Sequence, residues 1–387
     1  MPGPEAAPEG RAADPVPPEA AILLRRCLSF SEQMPEIMDL RMRLLSGGAV
    51  WKDLFAAASE TRLAPALFDR LRDRGLLPPV PKSAKGTLKA PAEILEKAYR
   101  INLDVRVQQA DALVSIVRDL NGLGMEPILL KGACALWNDD IPWRTMRDLD
   151  LLLPGENADT VHQALLKDGF GSLPDQDERP RRHHLAPLFK DGFPGWVEIH
   201  RRGGNPYAEQ FLPTRELAAD AQLVERDGAR AFVLPQAVQI WHGLVHYHFG
   251  HSDFARGLVD LKGLFEFASA LSSLDETYQP ELKRLSHRDP AGLAAFDIWV
   301  AAAADGLGLE ITAPWSVTDD AMAVWRTMDR RSRSTEPAQV RYPGYGEAAR
   351  LGWNGARIRR LDPPWPLGPL SARVAAVQRL MPKIRRT

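Results

Sequence analysis

Apolar residues recur at three- and four-residue spacing through most of the first third of the chain, and this spacing is typical of amphipathic helices. The longest such stretch, residues 90 to 123, predicts a single long helix. Its predicted apolar stripe consists of Leu103, Val107, Ala110, Leu113 and Val117. Residues 21–126 are therefore predicted to form an N-terminal helical region.

Short apolar runs replace the helical spacing just after the long helix. Residues 127–130 predict a short buried strand, and residues 148–153 and 196–200 predict further strands because apolar and polar side chains alternate there. A helix is predicted between them, over residues 156–168. This mixture predicts an α/β (α+β) fold with a small mixed sheet as its core, over residues 127–213.

Helical spacing returns over residues 214–331, which predicts a C-terminal helical region. Residues 332–387 are irregular and basic, and from residue 354 onward they hold eight Arg or Lys against the single Asp362. Three interpretations of this extension stay open: a solvated tail, a site for an acidic partner or nucleic acid, and an interfacial membrane helix.

Composition indicates a globular protein, since 45% of the 387 residues are hydrophobic. Residues 1–20 are the exception, because Pro, Ala, Gly and Glu dominate them and predict a disordered tail. The net charge of −1 excludes a general attraction to nucleic acid, so any binding of polyanions requires a local patch.

Two cysteines, Cys27 and Cys134, are far apart and lack metal-type spacing, which excludes a disulfide framework and a zinc site built from thiolates. No signal-peptide pattern is present at the N-terminus. No run approaches the roughly 18 apolar residues that a membrane span needs. We therefore expect a cytoplasmic protein without a transmembrane segment.

The chemistry of the predicted core begins with two aspartates, Asp148 and Asp150, on one strand. Because side chains alternate along a strand, both carboxylates emerge on one face while the neighbouring leucines emerge on the other. Two like charges so close stay ionised only if a cation lies between them, and hard oxygen ligands suit Mg2+ or Mn2+. The alternative is a solvated strand face with two ordinary acids.

A phosphate-binding arrangement is predicted directly upstream of this pair, where the strand over residues 127–130 runs into Lys131 and Gly132. Gly132 would let backbone N–H groups approach an anion at the start of the next helix, and Lys131 would supply a positive charge. Arg144 and Arg147 add two guanidinium groups, and this combination favours nucleotide phosphate chemistry. On the simpler interpretation, Gly132 only turns the chain and Lys131 is solvated.

A third acid, Glu198, lies on the strand over residues 196–200 and shares one face of it with Trp196 and His200. If this strand neighbours the aspartate strand, three carboxylates come together. Such a set can hold two divalent ions about 3.5–4 Å apart, which activate an attacking oxygen and steady a leaving pyrophosphate. The Arg-Arg-His-His run at residues 181–184 either contacts a substrate phosphate or forms a solvated loop.

These motifs together carry a resemblance to a known family. The chain has Leu-Leu-Lys-Gly at residues 129–132, Arg-x-x-Arg-Asp-Leu-Asp-Leu-Leu-Leu at residues 144–153 and Val-Glu-Ile-His at residues 197–200. In this order they resemble the bacterial nucleotidyltransferase-family proteins of the polymerase-beta-like superfamily, a group largely uncharacterised as to substrate. The resemblance extends over about residues 51–267 and implies a nucleotidyltransferase core between two helical regions.

The resemblance implies metal-binding positions for Asp148 and Asp150 and the position of the third carboxylate for Glu198. The expected reaction is attack by an acceptor oxygen on the alpha-phosphorus of a nucleoside triphosphate, with ATP as the expected donor and pyrophosphate as the leaving group. Lys131 with Arg144 or Arg147 would hold the departing phosphates. The acceptor, whether a small molecule, a peptide or a protein, is not specified by the sequence.

Two other functions stay open. One is a catalytically inactive nucleotide-binding or regulatory module, although three buried acids without a metal would be costly. The other is a metal-dependent hydrolase that uses His242 and His246, which lie four residues apart on one face of a predicted helix. Its third ligand would have to be His251, and the glutamate that zinc enzymes of this type carry between the two histidines is absent.

Overall fold

The structure is a computed structural model that describes residues 18–45, 47–77, 90–172, 183–250 and 260–332. The predicted N-terminal tail lies outside these ranges up to residue 17, and the predicted basic extension lies outside them from residue 333 onward. The first helix of the described ranges begins at Pro18 and buries Ala20, so the last residues of the predicted tail, 18–20, are helical.

The helices that precede the sheet bear out the helical spacing of the first third of the chain. In the described ranges they are α1 (Pro18–Cys27), α2 (Met34–Leu45), α3 (Gly48–Glu60), α4 (Ala64–Asp73) and α5 (Ala90–Gly122). The prediction of one long helix is therefore confirmed by α5, which ends within one residue of the predicted boundary.

The buried face of α5 differs from its predicted apolar stripe. Val107 is 62% exposed, whereas the polar residues Arg106 and Gln109 are buried. The reason is a tertiary hydrogen bond, because Nη2 of Arg106 donates to the carbonyl oxygen of Asp140 at 2.6 Å. The prediction was therefore wrong for Val107, whereas Leu103 and Ala110 are half-buried and Leu113 and Val117 are buried. Apolar spacing alone does not reveal a polar residue whose burial is compensated by such a hydrogen bond.

One mixed sheet forms the centre of the described part of the chain, with the strand order β3-β4-β5-β2-β1-β7-β6. Its strands are β1 (Ile128–Leu129), β2 (Asp148–Leu152), β3 (Gly171–Ser172), β4 (Leu188–Phe189), β5 (Trp196–His200), β6 (Gln222–Arg226) and β7 (Ala229–Val233). β2 pairs with β5 in parallel and with β1 antiparallel, while β1 pairs with β7 in parallel. The predicted α/β (α+β) fold with a mixed sheet is thus confirmed.

The hairpin β6–β7 lies within residues 214–331, where the sequence predicted helices only. Its turn contains Asp227 and Gly228, both at positive φ, which is a recognised hairpin signal. β6 is an edge strand with little burial, so its side chains carry no clear alternation of apolar and polar residues. The sheet therefore extends beyond the predicted core boundary at residue 213.

Helices surround this sheet and form the rest of the core. Two of them, α6 (Lys131–Trp137) and α7 (Asn157–Lys167), lie between strands upstream of Pro213, and the others follow Pro213. These are α8 (Thr214–Asp220), α9 (Gln236–Val245), α10 (Leu261–Ser272), α11 (Gln279–His287), α12 (Pro290–Ala301) and α13 (Asp319–Ser332). The largest fully buried side chains are Trp51, Trp241, Trp299, Phe265 and Phe296.

Cys27 and Cys134 are both buried, and neither forms a disulfide bond. Within the described ranges, no helix combines the length and the apolar character that crossing a membrane requires.

Candidate active site

The parallel pairing of β2 and β5 brings the predicted acids together. In this register Asp150 lies opposite Glu198. Asp148 lies two residues earlier on the same face of β2, opposite Trp196. The other face carries Leu149, Leu151, Val197 and Ile199, all of them fully buried. The apolar layer therefore fixes the register, because a shift by one residue would bury the acids and expose the aliphatic side chains.

Asp150 is the most buried of the three acids, with 2% of its surface exposed. Its Oδ1 accepts hydrogen bonds from Nζ of Lys131 at 2.7 Å and from Nε2 of His200 at 2.8 Å. Burial alone would raise the pKa of this carboxyl, but the two cationic partners outweigh it and hold the pKa well below its ordinary value. Asp150 is thus kept ionised inside the protein.

The other two acids have opposite electrostatic surroundings. Burial, together with the charges of Asp150 and Glu198, raises the pKa of Asp148. Burial also acts against the charged form of Glu198, but the His200 ring outweighs it and lowers the pKa of Glu198. The His200 Nε2 atom lies 3.6 Å from Oε2 of Glu198. The carboxylates therefore share a surplus of negative charge that Lys131 and His200 offset in part.

Three histidines adjoin the acids. His200 is fully buried, and its ring centroid lies 5.4 Å from that of His183 and 5.5 Å from that of His184. Burial, followed by the charges of His200 and His184, lowers the pKa of His183 to about 3. Nδ1 of His200 is buried without a hydrogen-bond partner among the residues that the structure describes. The sequence placed His200 on the face of Glu198 but gave it no role.

Lys131 and Gly132 lie at the start of α6, as predicted. The Lys131 ammonium contacts Asp150 in this structure, and the attraction of the acids outweighs burial and raises the pKa of Lys131. Lys131 has a φ of 48°, a left-handed conformation that non-glycine residues seldom adopt. A Cβ atom on Gly132 would lie 2.2 Å from Sδ of Met146, so glycine is needed here for the packing of Met146.

The two predicted phosphate-binding arginines differ in their contacts. Arg147 is exposed, whereas Nη2 of Arg144 lies 3.0 Å from Oε2 of Glu266 on α10. The same carboxylate receives Nζ of Lys262 at 2.6 Å. Two cations therefore share one acid, and this group carries a net positive charge. Sequence analysis missed Lys262 and Glu266, although their spacing of four residues on a helix was visible.

Two cavities meet at the acids. A cavity of about 1040 Å3 is lined by Asp150, Arg144, Arg147 and Lys262, among others. A smaller one of about 310 Å3 is lined by Glu198 of β5, by Gly203 and Asn205 from the loop after β5, by residues of α9, and by His183 and His184 from the segment before β4. Lys131 and Asp148 line both cavities. The acids therefore lie between a large chamber that holds Arg144, Arg147 and Lys262 and a small chamber rich in histidine.

The helix with His242 and His246 does not form a second metal site within the described residues. Nε2 of His242 lies 2.9 Å from the carbonyl oxygen of Gly203, and burial lowers the pKa of His242 to about 4. Its ring centroid lies 6.5 Å from that of His246. His251, the third ligand considered for a hydrolase, lies outside the described residues.

The acids and His200 are suited to a divalent cation. Across the described ranges, the group of His, Cys, Asp or Glu close enough to share one ion is Asp150, Glu198 and His200, whose ligand atoms lie within 4.8 Å of one another. The Lys131 ammonium already provides a positive charge at this position, which indicates that the site attracts cations. Asp148 lies beside this group and lines both cavities.

Comparison with known proteins agrees with this geometry. No curated protein matches the chain. One protein family does match, and it is described as an uncharacterised nucleotidyltransferase; the match covers residues 48–295, well over half of the 387 residues. This range includes the whole sheet and both cavity-lining helices, α9 and α10. The chain therefore belongs to this family of uncharacterised nucleotidyltransferases.

Proposed function

We propose that this protein is a metal-dependent nucleotidyltransferase that transfers a nucleoside monophosphate from a nucleoside triphosphate to an acceptor and releases pyrophosphate. The observation that carries the proposal is the register of β2 and β5, which sets Asp150 opposite Glu198. Asp148 and Lys131 complete the group where the two cavities meet. Family membership supports a general nucleotidyltransferase role.

In this proposal, Asp148, Asp150 and Glu198 hold the divalent metal, Mg2+ or Mn2+. A bound cation of this kind supplies charge neutralisation for the phosphates and makes an attacking oxygen more acidic. The residues fit this role because their combined negative charge exceeds what Lys131 and His200 offset in the structure.

The larger cavity is assigned to the triphosphate, with ATP as the expected donor. Arg144, Arg147 and Lys262 line it and bring positive charge, and a guanidinium group matches phosphate oxygens in pairs. Lys131 would contact the phosphates from the side of the acids. These fixed cations would stabilise the negative charge that develops on the departing pyrophosphate. Electrostatic stabilisation of this kind is usually the largest contribution to catalysis.

The smaller cavity is assigned to the acceptor. Glu198 lines it and would accept the proton of the acceptor oxygen as that oxygen forms its bond to the alpha-phosphorus. The bond from the alpha-phosphorus to the bridging oxygen breaks, and pyrophosphate leaves with the electron pair. His183, His184 and Asn205 would orient the acceptor, since their side chains line the same space.

The test is incubation of the purified protein with each labelled triphosphate, Mg2+ or Mn2+, and a cell extract, followed by identification of the labelled product. Asp150→Asn serves as the inactive variant, and Glu225→Gln serves as a control because it neutralises an exposed acid on the edge strand β6. Label transfer by the parent and the control, but not by Asp150→Asn, supports the proposal. Triphosphate binding without transfer or pyrophosphate release favours the inactive nucleotide-binding module instead.

A further inference from the structure

His200 lies beside two of the proposed metal-binding carboxylates, with Nε2 2.8 Å from Oδ1 of Asp150 and 3.6 Å from Oε2 of Glu198. We propose that Nε2 of His200 is itself a metal ligand, so that the site prefers a divalent first-row transition ion such as Mn2+ over Mg2+. This inference rests on the proposed function, because it concerns the ion that the same acids would hold.

The distances between ligand atoms support this role. Ligand atoms about 2.1 Å from one ion are about 3.0 Å apart when they are at right angles and about 3.4 Å apart in a tetrahedron. Nε2 of His200 lies 2.8 Å from Oδ1 of Asp150 and 3.6 Å from Oε2 of Glu198. These separations bracket the expected values, so small side-chain movements would bring one ion into contact with all three atoms.

The His200 ring is oriented so that its Nε2 atom faces the acids. His200 ends β5 and is fully buried, and the rings of His183 and His184 pack beside it. Nδ1 has no hydrogen-bond partner in the described part of the chain. Confined in this way, the ring directs Nε2 toward Asp150 and Glu198 and has little freedom to turn away.

The chemistry of the donors then determines which ion is favoured. Mg2+ prefers oxygen ligands in a strict octahedron and retains its water, whereas imidazole nitrogen suits later transition ions and is accepted by Mn2+. A set in which one imidazole joins the carboxylates therefore discriminates against Mg2+. A set of carboxylates alone would not do so.

A competing role for His200 is that of a hydrogen-bond donor that positions Asp150 and never contacts the ion. His200→Gln separates the two roles, because the glutamine amide still donates a hydrogen bond but removes the imidazole nitrogen. His162→Gln is the matched control, since His162 is also buried but binds the carbonyl oxygen of Ala186 at 3.0 Å, away from the acids.

The experiment uses Mn2+ alone with the full chain and measures nitrogen coupling to the bound ion by pulsed electron paramagnetic resonance. Coupling to nitrogen is expected in the parent and in His162→Gln, and it should vanish in His200→Gln. Titration should also show that the parent binds Mn2+ at least about tenfold more tightly than Mg2+, and that this ratio falls in His200→Gln.

If His200→Gln fails to fold, the parent with 15N-labelled histidine replaces it, together with His183→Gln and His184→Gln. The coupling should then change with the isotope and persist in both variants. Mn2+ bound through oxygen alone, or nitrogen coupling that persists in folded His200→Gln, would overturn this inference and leave the proposed function intact. Failure of the parent to bind any Mn2+ or Mg2+ would instead refute the metal centre of the proposed function.

Discussion

Lys131→Met tests whether the lysine ammonium supplies, in the metal-free protein, the positive charge that a bound metal ion would supply to Asp150. In the structure Nζ of Lys131 lies 2.7 Å from Oδ1 of Asp150, and their side chains are only 17% and 2% exposed. Methionine keeps most of the length of the side chain but removes the charge. Asp150 would then retain His200 as its remaining partner.

The magnitude follows from the cost of leaving a buried charge without its partner, which is about 3–5 kcal/mol. Because His200 stays in place, we expect the lower end, about 3 kcal/mol of unfolding free energy in the metal-free protein. Because the unfolding entropy is about 2.1 cal/mol/K per residue, that loss lowers the melting temperature of a chain of this size by roughly 4 °C. A bound metal would restore the missing positive charge, so the affinity for metal should rise by up to about 100-fold.

Urea denaturation without metal and calorimetric titration with Mn2+ measure the two effects. Lys190→Met is the matched control, because Lys190 pairs with Asp168 at 2.9 Å on the surface, where side chains are 39% and 64% exposed. That substitution should change stability by less than about 1 kcal/mol and leave metal affinity unchanged. If folded Lys131→Met binds metal no more tightly than the parent, the ammonium does not compete with a cation at Asp150.

Glu198→Gln should lower turnover by about 10²–10³-fold with the fold intact. Glu225→Gln on the edge strand β6 should leave turnover unchanged. Equal turnover in the two variants would mean that Glu198 takes no part in the reaction. Gly132→Ala should cost about 1–3 kcal/mol in urea denaturation, because the new Cβ meets Met146 at 2.2 Å, and Met146→Ala should relieve that cost. Burial lowers the pKa of His248 to about 3, so the unfolded chain binds its proton first and stability should fall as pH drops below about 6.5. This loss is up to about 1.4 kcal/mol per pH unit, and an unchanged pH slope in His248→Gln would contradict it.

Strand parity made the acidic face of the sheet predictable. Alternation along residues 148–152 and 196–200 follows from backbone geometry, so the aliphatic side chains had to face the core and the acids the other side. Pairing of the two strands in register was not visible in the sequence, because it depends on the crossover through α7 and on the loop that leads to β5. The structure supplied that pairing.

Features that depend on tertiary partners were missed for a different reason. Glu266, which also pairs with Lys262, contacts Arg144 across more than a hundred residues, and no local pattern records such a contact. The burial of Arg106 was missed for the same reason, because the apolar residues of α5 predicted a different buried face for that helix. Periodicity predicts which side of an element is buried only when apolar burial alone decides it.

The two cavities have a consequence for the order in which substrates react. Asp150 lines the larger cavity and Glu198 the smaller one, while Lys131 and Asp148 line both. In the proposed reaction, donor and acceptor would then be bound at the same time on opposite sides of the acids, and no covalent nucleotidyl-protein intermediate would be needed. Initial-rate plots at several acceptor concentrations should therefore give intersecting lines, as a ternary complex requires, and parallel lines would mean that the two chambers are filled in turn.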